Sequence, residues 1–125
     1  MADKRMFSKT IIDSDVFMDM PISSQCLYFH LGLRADDDGF IAAPKRIMRM
    51  VNAHEDDLSV LVAKGFVIRF GESSVIVITH WLMHNTIKND RYKPTIFMNE
   101  MSLLTLEKEK KYVMVPTRIQ SGTPD

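Results

Sequence analysis

The feature that most constrains the fold is a predicted β-hairpin that follows a series of helical patterns. Two short runs rich in β-branched residues, Phe66–Phe70 and Val75–Thr79, flank the turn-forming segment Gly71–Ser74. Three helical patterns and one short strand precede this hairpin within about 60 residues. The chain therefore alternates helices with short strands, which indicates an α+β fold.

The first helix of this series is predicted over about Ser24–Leu33, with Ser23 as its N-terminal cap. It is apolar nearly all round, so we expect it at the centre of the core. The segment Arg34–Gly39 is predicted to be a turn that stays polar and solvated. A short strand is expected to follow at Phe40–Ala42.

The second helix is predicted over Lys45–Val51, with Pro44 at its first position. We expect it to turn three apolar residues inwards (Ile47, Met50 and Val51) and three basic residues outwards (Lys45, Arg46 and Arg49).

The third helix is predicted to run to Lys64. Asn52 and Glu55 suggest a capping box at its start, and Gly65 suggests a C-terminal cap. Its predicted buried stripe consists of Leu58, Leu61 and Val62. Helix, strand, two helices and a hairpin are the elements of a winged helix–turn–helix, and we assign it to residues 22–80.

An extension is predicted on each side of this unit. Residues 1–21 are predicted to form an extension, with a strand at Phe7–Ile12 and a helical turn at Asp15–Met20 capped by Ser14. It either completes the core or acts as an arm for self-association. Residues 81–115 form a C-terminal extension in which residues 101–106 either close a helix or pair with residues 112–115. Residues 116–125 are expected to be a disordered tail.

The charges are balanced overall but unevenly distributed. The chain has 16 basic and 16 acidic residues, yet residues 40–98 carry eight Lys/Arg against five Asp/Glu. This permits a local basic face and excludes binding to nucleic acid by bulk charge alone. The lone Cys26, the missing signal-peptide pattern and the absence of a membrane-length apolar run favour a reducing cytoplasm.

The segment His80–Thr95 is unusually rich in polar and basic side chains. Trp81 is expected in the core, whereas the residues from 85 to 93 suit contact with a nucleic-acid backbone, with Tyr92 stacking on a base or sugar. The alternative is a structural tail that packs back on the domain. Three cations within six residues favour the binding interpretation.

Metal and catalytic sites are not indicated. Cys26 with His30 and His80 with His84 have the i, i+4 spacing of metal ligands, but no acidic partner accompanies either pair, so packed core residues are the better interpretation. The run Asp36–Gly39 fails the ligand pattern of a calcium loop. No phosphate loop or nucleophile motif appears, so we expect neither an enzyme nor a cofactor.

Several separate segments resemble the N-terminal domain of phage and prophage replisome organisers. These replication-initiation proteins of phages of low-GC Gram-positive bacteria are related in architecture to DnaD-type primosome proteins. The segments that carry the resemblance are Lys4–Ile12, Asp13–Pro21, Leu27–Phe40, Pro44–Arg49 and His84–Thr95.

The resemblance implies a winged helix that acts in origin recognition or primosome assembly, and self-association. It also implies a further C-terminal domain that recruits helicase-loading proteins, which this chain does not include.

We therefore expect a DNA-binding and assembly module that contacts duplex or single-stranded DNA mainly through phosphates. The helix expected to read bases begins with the acidic run His54–Asp57, which opposes phosphate. Two alternatives remain: an oligomerisation module without DNA affinity, and a transcriptional regulator. The expected DNA contacts are Lys45, Arg46, Arg49, Arg69, Asn85, Lys88, Arg91, Tyr92 and Lys93.

Overall fold

A computed structural model describes residues 4–71, 73–87, 90–107 and 110–115. These residues form a mixed α+β fold with small antiparallel sheets, as predicted. The helices are α1 (Lys9–Ile12), α2 (Asp15–Met18), α3 (Ile22–Leu33), α4 (Pro44–Met50), α5 (Glu55–Ala63), α6 (Trp81–His84) and α7 (Met98–Met101). The strands are β1 (Phe40–Ile41), β2 (Val67–Arg69), β3 (Ile76–Ile78), β4 (Leu104–Leu106) and β5 (Tyr112–Met114).

The main sheet has three strands in the order β1-β3-β2, with both pairs antiparallel. The predicted hairpin is confirmed, since β2 pairs with β3 and places Val67 opposite Ile78. Strand β3 lies in the middle and is buried along its whole length. A central strand buried on both faces is expected to be a continuous apolar run, as Ile76–Ile78 is.

Helices α3 and α5 pack against each other, and α5 also packs against β2. Trp81 is fully buried at the start of α6, which confirms its predicted place in the core. Gly39 is required beside it, because a Cβ atom there would lie 2.6 Å from Trp81 Cγ and because its φ of +92° disfavours other residues. The turn before β1 is therefore built around the Trp81 ring.

The N-terminal extension is helical where we predicted a strand. The amides of Ile11 and Ile12 both donate to the carbonyl of Ser8, so the segment makes local helical hydrogen bonds. Phe7 packs on Gly32 of α3, where an added Cβ would lie 2.7 Å from its ring. The segment thus packs on a helix and joins no sheet in the described part of the chain.

The predicted N-terminal cap of the helical turn after Ser14 is confirmed, and the predicted cap of α3 is wrong. Ser14 caps α2, since its Oγ accepts from the Phe17 amide at 3.3 Å. Ser23 does not cap α3, which begins at Ile22, and its hydroxyl donates to Asp57 instead.

The capping box of α5 lies two residues later than predicted. The Asp57 carboxylate accepts from the His54 amide at 2.8 Å, whereas Asn52 occupies a left-handed turn with φ of +60°. On α4 the buried residues are Pro44, Ile47 and Met48, whereas Met50, predicted to point inwards, is exposed. Gly65 follows α5 with φ of +85°, as its predicted capping role requires.

The C-terminal extension resolves the alternative left open for residues 101–115. Strands β4 and β5 pair antiparallel, with Leu104 opposite Met114. The amide of Tyr112 donates to the carbonyl of Thr79, which joins this hairpin to the end of β3. The predicted disordered tail, residues 116–125, lies outside the described residues.

Two further predictions about burial are wrong. Cys26 is exposed on α3 and not packed in the core, because the inner face of the helix is formed by residues such as Leu27 and Leu31. The turn expected to be solvated is largely buried: Asp37 is 2% and Asp38 5% exposed. These carboxylates are buried because the N-terminal and C-terminal extensions close over them.

Candidate nucleic-acid interface

A groove lies between α4, the start of α5 and the β2–β3 hairpin. Four of the nine predicted DNA contacts line it: Lys45, Arg46, Arg49 and Arg69. We call this surface the basic groove. The structure thus brings together residues from two elements that are separated by 20 positions in the chain (69 − 49).

The orientation of α4 explains why its cations face the groove. Pro44 starts the helix, and its buried face is formed by Pro44, Ile47 and Met48. The intervening positions therefore point to solvent, and Lys45, Arg46 and Arg49 are all exposed. Long basic side chains on such a face reach solvent without losing hydration.

The hairpin supplies the fourth cation. Along β2 the side chains become progressively more exposed, from buried Val67 to exposed Arg69. The Arg69 guanidinium contacts the Glu55 carboxylate, with Nη2 2.6 Å from Oε2. The basic groove therefore contains one ion pair that joins β2 to the first residue of α5.

The three acidic residues in the first turn of α5 do not all face solvent. Asp57 is 8% exposed, and its carboxylate accepts from the His54 amide and from the Ser23 hydroxyl at 2.5 Å. Both hydrogen bonds lower the pKa of Asp57, and the bond from the His54 amide has the larger effect. Glu55 is paired with Arg69, and Asp56 is exposed. Of the three carboxylates expected to oppose phosphate, only those of Glu55 and Asp56 are thus exposed.

Asp36, Asp37 and Asp38, which we call the acidic turn, bind the C-terminal loop Asp90–Thr95. The Asp38 carboxylate accepts from the Tyr92 hydroxyl at 2.7 Å and from the Thr95 amide at 2.8 Å. The Lys93 amide donates to Asp37, and the Thr95 hydroxyl donates to Asp36 at 2.6 Å. The loop is therefore fixed through its backbone and hydroxyl groups.

Arg5 binds the acidic turn from the other side. Its Nη2 lies 3.1 Å from Asp37 Oδ1 and donates to the Ala35 carbonyl at 2.8 Å. Both side chains of this ion pair are buried, at 2% and 0% exposure. The guanidinium also lies 5.1 Å from the centre of the Trp81 ring. No local pattern links Arg5 to a turn 30 positions away, so the sequence does not predict this role of Arg5.

The predicted contacts on the C-terminal loop have different environments. Arg91 and Lys93 have exposed side chains. The ring of Tyr92 is 38% exposed, while burial and the hydrogen bond to Asp38 raise its pKa to about 12. Lys88 lies outside the described residues. Arg91 and Lys93 are thus accessible to a ligand, on a loop that is bound to the acidic turn.

Asn85 is not on a binding surface, which corrects its predicted role. It is 6% exposed, and its Oδ1 accepts from the Met6 amide at 2.8 Å. The side chain holds the N-terminal segment against the end of α6. A buried amide with this function is not accessible to DNA, so we remove Asn85 from the candidate contacts.

His84, one of the histidines with metal-like spacing, has a structural environment. His84 is 4% exposed, its Nδ1 accepts from the Ser8 amide at 2.8 Å, and its Nε2 lies 2.6 Å from the Tyr28 hydroxyl. Burial, followed by the nearby His80, lowers the pKa of His84 to about 4. In the part of the chain that the structure describes, no three His, Cys, Asp or Glu residues are grouped as metal ligands.

Among the described residues, no helix has both the length and the apolar character needed to cross a membrane. Comparison of the chain with protein-family models, with curated proteins and with solved structures finds no match in any of the three.

Proposed function

We propose that this chain is the DNA-binding and assembly module of a phage replisome organiser, which acts in replication initiation and binds duplex DNA through the basic groove. The observation that carries the DNA-binding part is the convergence of Lys45, Arg46, Arg49 and Arg69 on one groove. The replication role rests on the resemblance of several sequence segments to that family.

The element order supports a winged helix–turn–helix. In this interpretation α3, α4 and α5 are the three helices, β1 is the short strand between the first two, and β2–β3 is the wing. The sheet order β1-β3-β2 fits this arrangement. Helix α5 then takes the place of the recognition helix, and α4 the place of the helix that crosses the phosphate backbone.

The charges around the groove favour contacts with phosphate. Four cations line it against a single carboxylate, Glu55, which leaves a net charge of +3 (4 − 1). Helix α5 begins with Glu55 and Asp56, so the position from which base edges are usually read is acidic. The affinity is therefore expected to come from the DNA backbone, with little dependence on sequence.

The lining of the groove favours duplex over single-stranded DNA. Its uncharged lining residues are alanine, proline, leucine, isoleucine, glycine and serine, so the described lining contains no aromatic ring. Proteins that bind single strands usually stack bases on aromatic side chains. In the described residues the one exposed aromatic ring is that of Tyr92, which lies on the C-terminal loop beside the acidic turn.

The C-terminal loop is a weaker candidate than the sequence suggested. The loop that carries Arg91 and Lys93 is bound to Asp36, Asp37 and Asp38, whose negative charges oppose an approaching phosphate. We therefore rank the basic groove as the principal DNA surface. The loop cations contribute at most to long-range attraction.

The test is a salt titration of duplex binding, followed by fluorescence anisotropy. The groove variant Lys45→Ala/Arg46→Ala/Arg49→Ala should lose most of the affinity. Its slope of log affinity against log salt should be shallower by about 0.9 for each lost phosphate contact. The matched control, Arg91→Ala/Lys93→Ala, should bind nearly as the unchanged chain does. Equal affinity of the groove variant and the unchanged chain would refute the proposal.

An assembly role for the α3 surface is supported by a separate observation. Ile22, Cys26, Phe29 and Leu33 lie at i, i+4, i+7 and i+11 on the outer face of α3. Ile22 is 81% and Leu33 49% exposed, Cys26 is exposed and Phe29 is half-buried. An apolar stripe of this kind is typical of a protein–protein contact, and we propose that a second copy of the chain packs on it.

A transcriptional regulator is the other function that such a fold serves. The two functions differ in how strongly the protein discriminates between DNA sequences. A regulator must prefer its operator strongly over random DNA, which requires base readers. The proposed groove predicts similar affinities for origin-region and random duplexes at equal length and salt concentration. A preference of a thousandfold or more, the usual range for specific binding, would favour the regulator.

A further inference from the structure

The ion pair between Glu55 and Arg69 lies inside the surface that we assign to DNA. Their contact of 2.6 Å joins the wing strand β2 to the first residue of α5. Both side chains remain accessible, at 39% exposure for Arg69 and 51% for Glu55. An incoming phosphate therefore meets a guanidinium that already holds a carboxylate.

Glu55 differs from its two acidic neighbours in what it contacts. Asp57 is buried and accepts hydrogen bonds from His54 and Ser23. Asp56 is exposed at the next helix position after Glu55. In the described lining of the basic groove, Glu55 is the one acidic residue. Its carboxylate therefore offers Arg69 an anionic acceptor oxygen, as a phosphate would.

We propose that Glu55 competes with the DNA backbone for Arg69, so that it lowers the affinity of the groove for duplex DNA. This inference rests on the proposed DNA-binding function. In the free protein Glu55 occupies Arg69, and in the complex a phosphate replaces the carboxylate. The guanidinium binds both groups through the same planar set of N–H donors, so it cannot serve both fully at once.

The small net free energy of the ion pair makes this exchange reversible. An ion pair between half-exposed side chains is worth little net free energy, so phosphate from a polyanion can displace the carboxylate. The displaced Glu55 then lies beside DNA and repels it. Both effects act in the same direction and weaken binding without preventing it.

The test compares Glu55→Gln with Asp56→Asn, which removes the same charge one residue further along α5. Binding to a duplex is measured at about 0.15 M salt, where the Debye length of about 8 Å weakens the contribution of more distant charges. We expect Glu55→Gln to raise the affinity about threefold or more, and Asp56→Asn to raise it less. Circular dichroism checks that both variants retain the helix content of the unchanged chain.

A second comparison isolates the competition from simple charge removal. In an Arg69→Ala background the ion pair is absent, so Glu55→Gln should increase the affinity by a smaller factor than it does in the unchanged chain. The difference between the two factors measures the coupling between Glu55 and Arg69. Equal factors in both backgrounds would show that Glu55 acts by repulsion alone and would overturn the proposal.

The remaining outcomes separate this inference from the proposed function. If the unchanged chain binds duplex DNA and Glu55→Gln gains no more than Asp56→Asn, the competition is refuted and DNA binding stands. If neither the unchanged chain nor Glu55→Gln binds, both proposals fail. If Glu55→Gln weakens binding to particular sequences, then Glu55 reads a base, as carboxylates do at cytosine N4, and the competition is overturned.

Discussion

At the residue scale, the acidic side chains show how tertiary contacts determine what a residue does. Asp37 and Asp38 are buried because partners distant in the chain reach them, Arg5 from 32 positions away and Tyr92 from 54 positions away. Neither partner is indicated by the run of three aspartates itself. A run of three carboxylates is normally solvated, so the sequence predicts an exposed turn where the molecule places a polar junction in its core.

Replacement of Asp37 by Asn tests this junction. The change leaves the buried Arg5 guanidinium without its charged partner, and breaking a buried pair in this way costs roughly 3–5 kcal/mol. We expect a loss of that order in the free energy of unfolding, measured by urea denaturation. The control Asp13→Asn removes the same charge from an exposed position and should change little. Similar stabilities of the two variants would contradict the structural role of the acidic turn.

The buried histidines give stability a defined dependence on pH. Burial lowers the pKa of His84 to about 4, and burial together with Lys111 lowers that of His80 to about 4. In the unfolded chain both pKa values are near 6.5, so between pH 6.5 and 4 the unfolded state binds more protons. The free energy of unfolding should therefore fall as the pH is lowered through this window, by on the order of 1 kcal/mol per pH unit.

Denaturation curves at several pH values from 7.5 to about 4.5 measure this dependence. The variant His84→Asn removes one of the two titrating groups and keeps a side-chain acceptor for the Ser8 amide. It should therefore show a shallower decline than the unchanged chain. A free energy of unfolding that stays constant over the window would show that neither histidine titrates with a depressed pKa.

At the element scale, local signals were sufficient where the cause of the structure is local. Ser14 at the start of α2, Pro44 at the start of α4 and Gly65 after α5 have the roles that their residue types predict. The strand predicted at Phe7–Ile12 is wrong: the segment contains the helix α1, and Phe7 before it packs on Gly32 of α3. Apolar residues without a clear period do not reveal which element they will pack on.

The outer face of α3 provides a prediction at the same scale. If a second copy packs on it, Ile22→Glu places a charge in the contact and should convert the chain to a monomer in light-scattering measurements. Ile96→Glu is the matched control, because Ile96 is 83% exposed against 81% for Ile22 and does not belong to α3. A dimer that survives Ile22→Glu, or a loss caused equally by both changes, would contradict the proposed contact.

At the scale of the whole molecule, both extensions contribute to one core. Phe17 and Met20 from the N-terminal extension and Tyr112 from the C-terminal extension are buried with the residues of α3, α5 and the sheet. A truncation of residues 1–20 would therefore disturb folding and could not report on self-association alone. The sequence predicted the order of elements from α3 to β3, but the closure of the extensions over the acidic turn depends on long-range contacts that no local pattern encodes.

The candidate site was predictable in part for the same reason. The basic face of α4 follows from helical spacing, and Arg69 follows from its position in a predicted strand. Their convergence on one groove requires the packing of the hairpin beside α4. The emphasis on Asn85 and Tyr92 came from composition, which does not distinguish a buried amide or an engaged hydroxyl from an accessible one.

The most direct test of the central claim is an NMR titration of the 15N-labelled chain with a short duplex at low salt. The basic groove predicts that the largest amide shifts fall on Lys45–Arg49 and around Arg69, and that they diminish as salt is added. Shifts confined to Asp90–Thr95, with α4 unaffected, would move the DNA surface to the C-terminal loop and contradict the proposal. If no amide of the chain shifted on addition of the duplex, DNA binding by this chain would be excluded.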